Sequence, residues 1–433
     1  MTAEMSHAPT RRRSRGARRR LVGALAATAA WSACFAGLAP SAVAQDVQAK
    51  QWYLDAMQAE EMWKVSTGKG ITVAVIDTGV NPDTPSLRGQ VLKGWDATEA
   101  DGDENDDYTG HGTTMAELIA GTGSGGGLKG LAPDAKIIPY RIADTDFQHS
   151  NKHFNPRDSA DAIKAAVDSD ARIISMSFGS EFSMYSEEDA AQYALSKGKL
   201  FFASVGNDGA TTNKPEYPAS YEEVVGISSA DEKGTVAKTS QHSGSVDLAS
   251  PGTGVPVWCD DTFQSYCDSG GTSQATAIAS ASAALVWSAH PDWTANQVLR
   301  VLFDTAGRDW ADDETSAYLG HGLIRPSMNL LKHKGDPGDP DVSPLTGKST
   351  SASGAGSGST ASAAPSGSAS PSASASASSQ PSHGKSGDAP VVAGSSEPEG
   401  GGSNLGLIAG AVVVVVVLGG GAFYFLRRRR GAV

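Results

Sequence analysis

Between residues 71 and 206, short apolar runs alternate with segments of helical periodicity. The apolar runs are rich in Val, Ile and Phe and comprise residues 71–77, 135–142, 172–178 and 200–206. The intervening segments with helical patterns comprise residues 111–121, 158–169 and 187–198. Strands that are apolar throughout are buried on both faces, and strands that alternate with helices form parallel sheets. The sequence therefore predicts an α/β fold of three layers, a mostly parallel central sheet flanked by helices.

Two more helices are predicted after this alternating region. The first begins at Ser273, directly after the turn sequence G-G-T, and continues through an alanine-rich stretch to about Ala289. The second begins at Thr294, where Gln297 completes a T-x-x-Q capping box. Residues 45–334 are predicted to form one large domain, since this length suits a single α/β unit.

The N-terminal residues 1–44 have the organisation of a secretory signal. Seven arginines precede an apolar stretch, and Ala42-Val43-Ala44 offers a site for signal peptidase. We expect cleavage there, which leaves only residues 45–50 before the domain, too few for a folded inhibitory propeptide. The retained alternative is an uncleaved membrane anchor.

The C-terminal part predicts a tether to a membrane. Residues 335–404 are dominated by Ser, Ala, Gly and Pro, which predicts a disordered linker or stalk. Residues 405–426 contain no charge and would be roughly 33 Å long as a helix, enough to cross a bilayer. Four arginines follow at once, so residues 427–433 are predicted to be a cytoplasmic tail, and the large domain to be extracellular.

The charge of the chain excludes one class of partner. Leaving out the signal, which carries +6, and the four C-terminal arginines takes the formal charge from −13 to −23 for residues 45–426. An acidic body of this kind does not attract nucleic acid, and no basic groove is apparent.

Two cysteines remain after the signal, Cys259 and Cys267. An even pair in an exported chain favours a disulfide. It would close a loop of about nine residues and stabilise the fold by roughly 2.5 kcal/mol in the chain-entropy model. The alternative, two free thiols, stays open at this point.

Four polar residues stand where ligand sites form in parallel α/β sheets. Asp77 ends the first predicted strand, and Asn207 follows the strand of residues 200–206. His111 and Ser273 each open a helix. Taken singly, each is more often a turn or capping residue. Because ligands bind at the carboxyl ends of parallel strands, all four are nevertheless expected at one edge of the sheet.

Together these residue types fit acyl transfer. A serine hydroxyl needs an adjacent base to become a nucleophile, and a histidine can serve as that base. A carboxylate orients the histidine, and a side-chain amide can donate to the oxygen that becomes negative. The chain order Asp, His, Ser is one of the known orders for such a triad.

Four segments carry a resemblance to a known family. They are V-A-V-I-D-T-G-V around Asp77, G-H-G-T-T-M-A around His111, S-V-G-N-D-G around Asn207 and G-G-T-S-Q-A-T-A around Ser273. The chain resembles the subtilases, the subtilisin-like serine proteases, over about residues 52–325.

The resemblance implies a subtilisin-like fold, polypeptide substrates and no cofactor. It implies that Asp77, His111 and Ser273 form a catalytic triad, and that Asn207 donates to the oxyanion. It also implies that Ser177, Phe178 and Gly179 pair with the extended backbone of a substrate. The sequence departs from the family after the serine, where Met and Pro are usual and Gln274 and Ala277 stand instead. Activity and specificity are the properties that these departures put in question.

The overall organisation resembles one group of subtilases, the mycosins. A signal peptide, a subtilase domain, a low-complexity stalk and a C-terminal membrane helix are their arrangement. This implies a membrane-anchored protease associated with the membrane complex of a type VII secretion system. The alternative is a structural scaffold of such a complex with weak or absent activity. A sedolisin-type protease is disfavoured because it would have Glu where His111 stands.

The acidic loop of residues 99–109 does not predict a metal site. Read as a calcium-binding loop from Asp101, it has Asp106 where glycine is required and Gly112 where the last glutamate should stand. We therefore expect a solvated loop with no metal.

Overall fold

A computed structural model of the chain describes residues 47–98, 100–142 and 156–350. The predicted signal (1–44), membrane helix (405–426) and tail (427–433) lie outside these residues, as does the predicted linker beyond residue 350. Among the described helices, none combines the length and the apolar character needed to cross a bilayer.

A parallel sheet forms the centre of the domain. In the described residues its order is β2-β3-β1-β4-β5-β6-β7, and neighbouring strands run parallel throughout. The strands are β1 Thr72–Asp77, β2 Trp95–Asp96, β3 Lys136–Arg141, β4 Ile173–Met176, β5 Leu200–Ser204, β6 Val225–Ala230 and β7 Leu248–Pro251. The predicted runs correspond to β1, β3, β4 and β5. The short edge strand β2 and the strands β6 and β7 were absent from the sequence prediction.

An antiparallel hairpin follows the sheet. It consists of β8 (Thr253–Trp258) and β9 (Tyr266–Gly270). The hairpin was also missed from sequence, because its strands lack a continuous apolar run.

Helices cover both faces of the sheet. In chain order they are α1 Trp52–Ala56, α2 Ala59–Trp63, α3 His111–Ala120, α4 Pro156–Val167, α5 Tyr185–Ser196, α6 Thr272–Ala289, α7 Ala295–Asp304 and α8 Pro326–Lys332. The helices α4 and α5 share one buried apolar cluster, and α3, α6 and α7 share the other. Successive residues of β1 point into opposite clusters, as in a strand buried on both faces: Val73 into one and Ala74 into the other. The predicted three-layer α/β fold is confirmed.

The long helix α6 lies inside the domain. Every residue from Thr272 to Trp287 is buried. A helix that is apolar on all sides belongs in a core, and its small alanines and serines let neighbouring elements approach closely. The Ser282 hydroxyl donates back to the Ile278 carbonyl at 2.8 Å, so its polar group is satisfied within the helix. The burial of α6 fixes the position of its first turn, where Ser273 stands.

The predicted capping box of α7 is confirmed. The Thr294 hydroxyl accepts from the backbone N–H of Gln297. The Gln297 side-chain oxygen accepts in return from the backbone N–H of Thr294 at 3.1 Å.

The first part of the predicted linker is folded against α7, which corrects the boundary expected at residue 334. The Arg300 guanidinium donates to the carbonyls of Pro337 and Val342, each at 2.6 Å. The Asn296 amide donates to the Pro340 carbonyl at 2.9 Å. Composition alone suggested disorder because residues 335–350 contribute few apolar side chains. Their backbone carbonyls are held by polar side chains of the helix instead.

Candidate active site

The acid and the imidazole predicted from sequence form a hydrogen-bonded pair. Asp77 ends β1 and is 1% exposed, and His111 is the first residue of α3. The imidazole Nδ1 donates to Asp77 Oδ1 at 2.7 Å. The Thr78 backbone N–H donates to the same oxygen at 2.8 Å. A buried carboxylate therefore fixes the orientation of the imidazole ring.

Glycines allow α3 to begin this close to Asp77. Gly110 has φ of 80°, and a Cβ there would lie 2.8 Å from the Asp260 carbonyl oxygen. A Cβ on Gly112 would lie 2.9 Å from Asp77 Oδ1. Larger residues would push the helix away from the acid, which explains why His111 is flanked by glycines.

The first turn of α3 is organised by a buried carboxylate that the sequence analysis did not single out. Asp107 accepts from the backbone N–H groups of Gly110 at 2.9 Å and Thr113 at 2.8 Å. It also accepts from the Thr78 hydroxyl at 2.8 Å. Asp107 thereby ties the helix start to the end of β1. The available signal was an acid four residues before a histidine that opens a helix, since carboxylates favour helix N-termini.

The nucleophile candidate lies at the start of α6. Ser273 is 8% exposed, and its hydroxyl donates to the Ser177 carbonyl at 3.2 Å. The Ser177 hydroxyl in turn donates to the Ser273 carbonyl at 3.3 Å. The next residue, Phe178, packs on the His111 ring with centroids 5.8 Å apart. The segment after β4 therefore contacts both Ser273 and His111.

Asn207 lies beside the same helix start. Its Oδ1 accepts from the Thr272 backbone N–H at 3.0 Å and from the Thr272 hydroxyl at 3.2 Å. A Cβ on Gly271 would lie 3.1 Å from Oδ1 and 3.3 Å from Nδ2. With the oxygen engaged by Thr272, the amide NH₂ remains the donating end of the side chain.

The two departures from the family pattern are buried in α6. Ala277 is fully buried in the core, and Gln274 is 6% exposed. Among the described residues, Gln274 Oε1 has no hydrogen-bond partner. It lies near Gly271, because a Cβ there would be 3.2 Å from that oxygen. The glutamine amide is therefore a buried neighbour of the turn that leads into Ser273.

The acidic loop is built around a buried cation of the protein itself. Arg141 ends β3, is fully buried and forms an ion pair with Asp96. Its guanidinium also donates to the carbonyls of Asp101 at 3.3 Å and Asp106 at 3.2 Å. The part of this loop nearest the sheet is thus anchored rather than solvated, which corrects the sequence-based expectation. Within the described ranges, no group of three or more His, Cys, Asp or Glu side chains is arranged to hold a metal ion.

The structure contains the disulfide between Cys259 and Cys267, with Cα atoms 5.1 Å apart. It closes the β8–β9 hairpin, which packs on α3. The Trp258 backbone N–H donates to the Thr114 hydroxyl at 3.0 Å. The Tyr266 hydroxyl donates to Glu117 Oε2 at 2.8 Å. The hairpin therefore braces the helix that carries His111.

Glu117 is a fully buried carboxyl on α3. Burial raises its pKa to about 7, although hydrogen bonds from Thr84 and Tyr266 act in the opposite direction. This carboxyl links the helix to the hairpin and does not face the Asp77–His111 pair.

Comparison with known proteins identifies the family. Residues 68–322 match the sequence profile of the subtilase family, peptidase S8. Thermitase of Thermoactinomyces vulgaris is 31% identical over 278 residues, which are 62% of this chain and 95% of thermitase. The minor extracellular protease Epr of Bacillus subtilis strain 168 is 33% identical over 287 residues, but the match spans only 41% of that protein.

Solved structures of two mycosins are similar to this chain. MycP1 from Mycobacterium smegmatis matches with a TM-score of 0.57 and 26% identity, over 67% of this chain and 86% of MycP1. The MycP3 protease from the type VII (ESX-3) secretion system matches with a TM-score of 0.53 and 27% identity, over 64% of this chain and 87% of MycP3. The two resemblances inferred from the sequence are thereby confirmed.

Proposed function

The chain belongs to the subtilase family of serine endopeptidases, and on that premise we propose that it is a membrane-anchored protease of the extracytoplasmic side. Asp77, His111 and Ser273 would form the catalytic triad. The observation that carries this proposal is the 2.7 Å hydrogen bond between His111 Nδ1 and Asp77 Oδ1, beside a segment that contacts Ser273.

Each residue has a defined chemical task. Asp77 fixes the tautomer in which His111 Nδ1 carries the proton, so Nε2 is the nitrogen that accepts the proton of Ser273. The serine oxygen then attacks the scissile carbonyl, and an acyl-enzyme forms as His111 returns the proton to the leaving amine. To react, the Ser273 hydroxyl has to turn from the Ser177 carbonyl, which it contacts at 3.2 Å, toward the imidazole.

Asn207 would stabilise the negative charge of the tetrahedral intermediate. Its carbonyl oxygen is held by Thr272, one residue before Ser273. This contact directs the amide NH₂ as a preorganised donor, and a donor fixed before the reaction costs no reorganisation.

The segment of Ser177, Phe178 and Gly179 would bind the substrate backbone. It continues from β4 past Ser273 and His111. A peptide laid along it in extended form would bring a carbonyl to the serine, as in other proteins that add a strand to an edge.

Membrane anchoring is proposed from the sequence of the termini. The domains would be a signal peptide (1–44), a peptidase domain (45–334), a linker (335–404) whose first residues, up to 350, contact that domain, a membrane helix (405–426) and a cytoplasmic tail (427–433). A type VII secretion complex is the proposed partner, because the mycosin structures that resemble this chain come from such systems.

A fluorophosphonate probe tests the catalytic proposal on the full-length chain. We expect covalent labelling at Ser273 in the wild type and none in Ser273→Ala. Ser282→Ala is the matched control, since that serine is buried later in the same helix. Absence of labelling in a correctly folded wild type would contradict the proposed triad.

A genetic test separates the protease from a scaffold. Deletion of the chain is compared with Ser273→Ala in the native cell, and the secreted proteins are measured. If cleavage is required, both strains show the same processing defect. Secretion that is lost on deletion but intact with Ser273→Ala would favour the scaffold.

A further inference from the structure

The Glu216 carboxylate lies between the two segments that flank Ser273. The parallel strands β4 and β5 are paired, with Met176 opposite Ala203. Beyond them the chain continues through Gly179 on one side and Gly206 on the other. A Cβ on Gly206 would lie 2.5 Å from Glu216 Oε1, and a Cβ on Gly179 would overlap the same carboxylate. The two glycines therefore leave the space that the Glu216 side chain occupies; we call it the Glu216 recess.

The position of Glu216 is fixed by its neighbours. The Gln241 side-chain amide donates to Glu216 Oε1 at 3.0 Å, and the Gln241 backbone N–H donates to the Gly206 carbonyl at 3.0 Å. The next residue, Tyr217, exchanges two backbone hydrogen bonds with Ser180, at 2.8 and 2.9 Å. The carboxylate is thus held between both walls of the recess.

Glu216 has no counter-ion in the described part of the chain. The nearby Lys214 is engaged elsewhere, because its ammonium pairs with Glu181 at 2.6 Å. Burial raises the pKa of Glu216 to about 7, the Gln241 hydrogen bond lowers it, and the charges of Asp208 and Glu181 raise it further. The described part of the chain therefore supplies no cation to this carboxyl, which becomes negative as the pH rises through about 7.

The geometry of the site decides which part of a substrate enters this recess. The scissile carbonyl has to lie near both Ser273, which contacts Ser177 on one wall, and Asn207, which directly follows Gly206 on the other. The substrate backbone runs along Ser177 to Gly179. The side chain of the residue that supplies that carbonyl then extends between the walls, toward Glu216.

We propose that Glu216 is the specificity-determining residue of this protease, and that it receives a lysine or arginine side chain from the substrate residue preceding the scissile bond. This inference rests on the proposed function. A long basic side chain can keep its methylene groups on apolar surface outside the space that Glu216 fills and bring its charge to the carboxylate. A neutral side chain would cover the carboxylate and supply no charge to it, so that the Gln241 amide would be its one hydrogen-bond donor among those described, and a buried charge without a counter-ion is disfavoured.

Paired peptide substrates test the proposal on the full-length chain. They differ only in the residue before the scissile bond, lysine or its uncharged isostere norleucine. We expect wild type to prefer lysine by at least tenfold in kcat/KM. In Glu216→Gln the ratio should fall to near unity, with turnover of the norleucine peptide retained. Glu232→Gln is the matched control, because it removes an exposed carboxylate away from the recess and should change the ratio less than twofold.

A charge-reversal variant and a pH series test whether the lysine preference depends on the charge of Glu216 and not only on its structural role. Glu216→Lys should favour glutamate over lysine at the same substrate position. In wild type the preference for lysine should rise between pH 6 and 8 as the carboxyl ionises, and in Glu216→Gln it should stay flat.

The outcomes separate this inference from the proposed function. Turnover of both peptides at similar rates by wild type, with Ser273 labelled by fluorophosphonate, would overturn the role of Glu216 alone. No turnover and no labelling would overturn both.

Discussion

At the scale of single residues, the site depends on what each polar atom is already bound to. Asp77 Oδ1 is shared by the His111 ring and the Thr78 backbone N–H. Asn207 uses its oxygen on Thr272, so its NH₂ is the donating end of the side chain. These existing hydrogen bonds determine which atoms of His111 and Asn207 act as donors and which as acceptors before any substrate binds.

Asp77→Asn tests the tautomer argument. The amide would present a donor to the imidazole or accept in a different geometry, so His111 would lose the orientation that leaves Nε2 basic. We expect kcat to fall by about 10⁴-fold with little change in KM. Steady-state kinetics measure this, and the melting temperature checks the fold. A loss below tenfold would contradict the role of Asp77.

Asn207→Ala tests the oxyanion donor. Removing one preorganised donor should lower kcat by about 10²–10³-fold. Thr272→Ala is the control, because it removes one hydroxyl contact to Asn207 but keeps the backbone N–H that orients the amide. Its loss should be much smaller. Equal losses in both variants would mean that Asn207 acts only by holding the turn at Thr272, and not by donating a hydrogen bond to the oxyanion.

At the scale of elements, α3 is held at both ends. Asp107 ties its first turn to β1, and Glu117 ties its last part to the disulfide-closed hairpin of β8 and β9. The carboxyl of Glu117 is buried and forms no ion pair with any of the described residues, so its protonation is linked to the stability of this contact.

Glu117→Gln should change how stability depends on pH. The folded pKa of about 7 lies above the ordinary glutamate pKa of 4.5, so the folded state holds the proton more tightly. The stabilisation is complete below pH 4.5 and is lost as pH rises through 7. Glutamine should remove this loss and make the variant more stable than wild type at pH 8, by about 2 to 3 kcal/mol.

Urea denaturation at pH 5 and pH 8 measures this effect. Asp247 is half-buried, has its pKa raised to about 7 by desolvation and keeps its own share of the pH dependence. Asp247→Asn is therefore the matched variant. An identical pH dependence in Glu117→Gln and wild type would contradict the role of Glu117.

At the scale of the whole molecule, residues 335–350 pack on helix α7 of the domain that precedes them. Residues 335–350 contribute carbonyl groups that Arg300 and Asn296 bind. Removing this segment would leave the guanidinium of Arg300 without those partners. The segment thus completes the domain rather than beginning the tether.

Truncation tests this boundary. A chain ending at residue 334 should melt at a lower temperature than one ending at residue 350, by several degrees, because several hydrogen bonds to a charged group are lost. Differential scanning calorimetry of the two chains makes the comparison. Equal melting temperatures would place the boundary at residue 334.

Much of the central sheet could be predicted because buried parallel strands are apolar throughout. The sequence shows that continuous apolar pattern for β1, β3, β4 and β5. It is weak in β6, where V-G-I-S-S-A includes two serines, and in the two-residue β2. Those strands are recognised as strands because they pair with neighbouring strands in the sheet. The pattern of apolar residues along the sequence does not contain this pairing.

The sequence by itself determined the family, the α/β class and the four residues proposed for chemistry, because a strand end or helix start with a particular neighbour pattern is a local property. Only the tertiary structure decided how those residues are held, through Asp107 at the helix start and Thr272 at the amide. It also placed Glu216 between Gly179 and Gly206, residues 37 and 10 positions before it in the sequence. The physical reason is that a side chain's partners across a sheet edge depend on strand order and register, and both are set by packing of the whole domain.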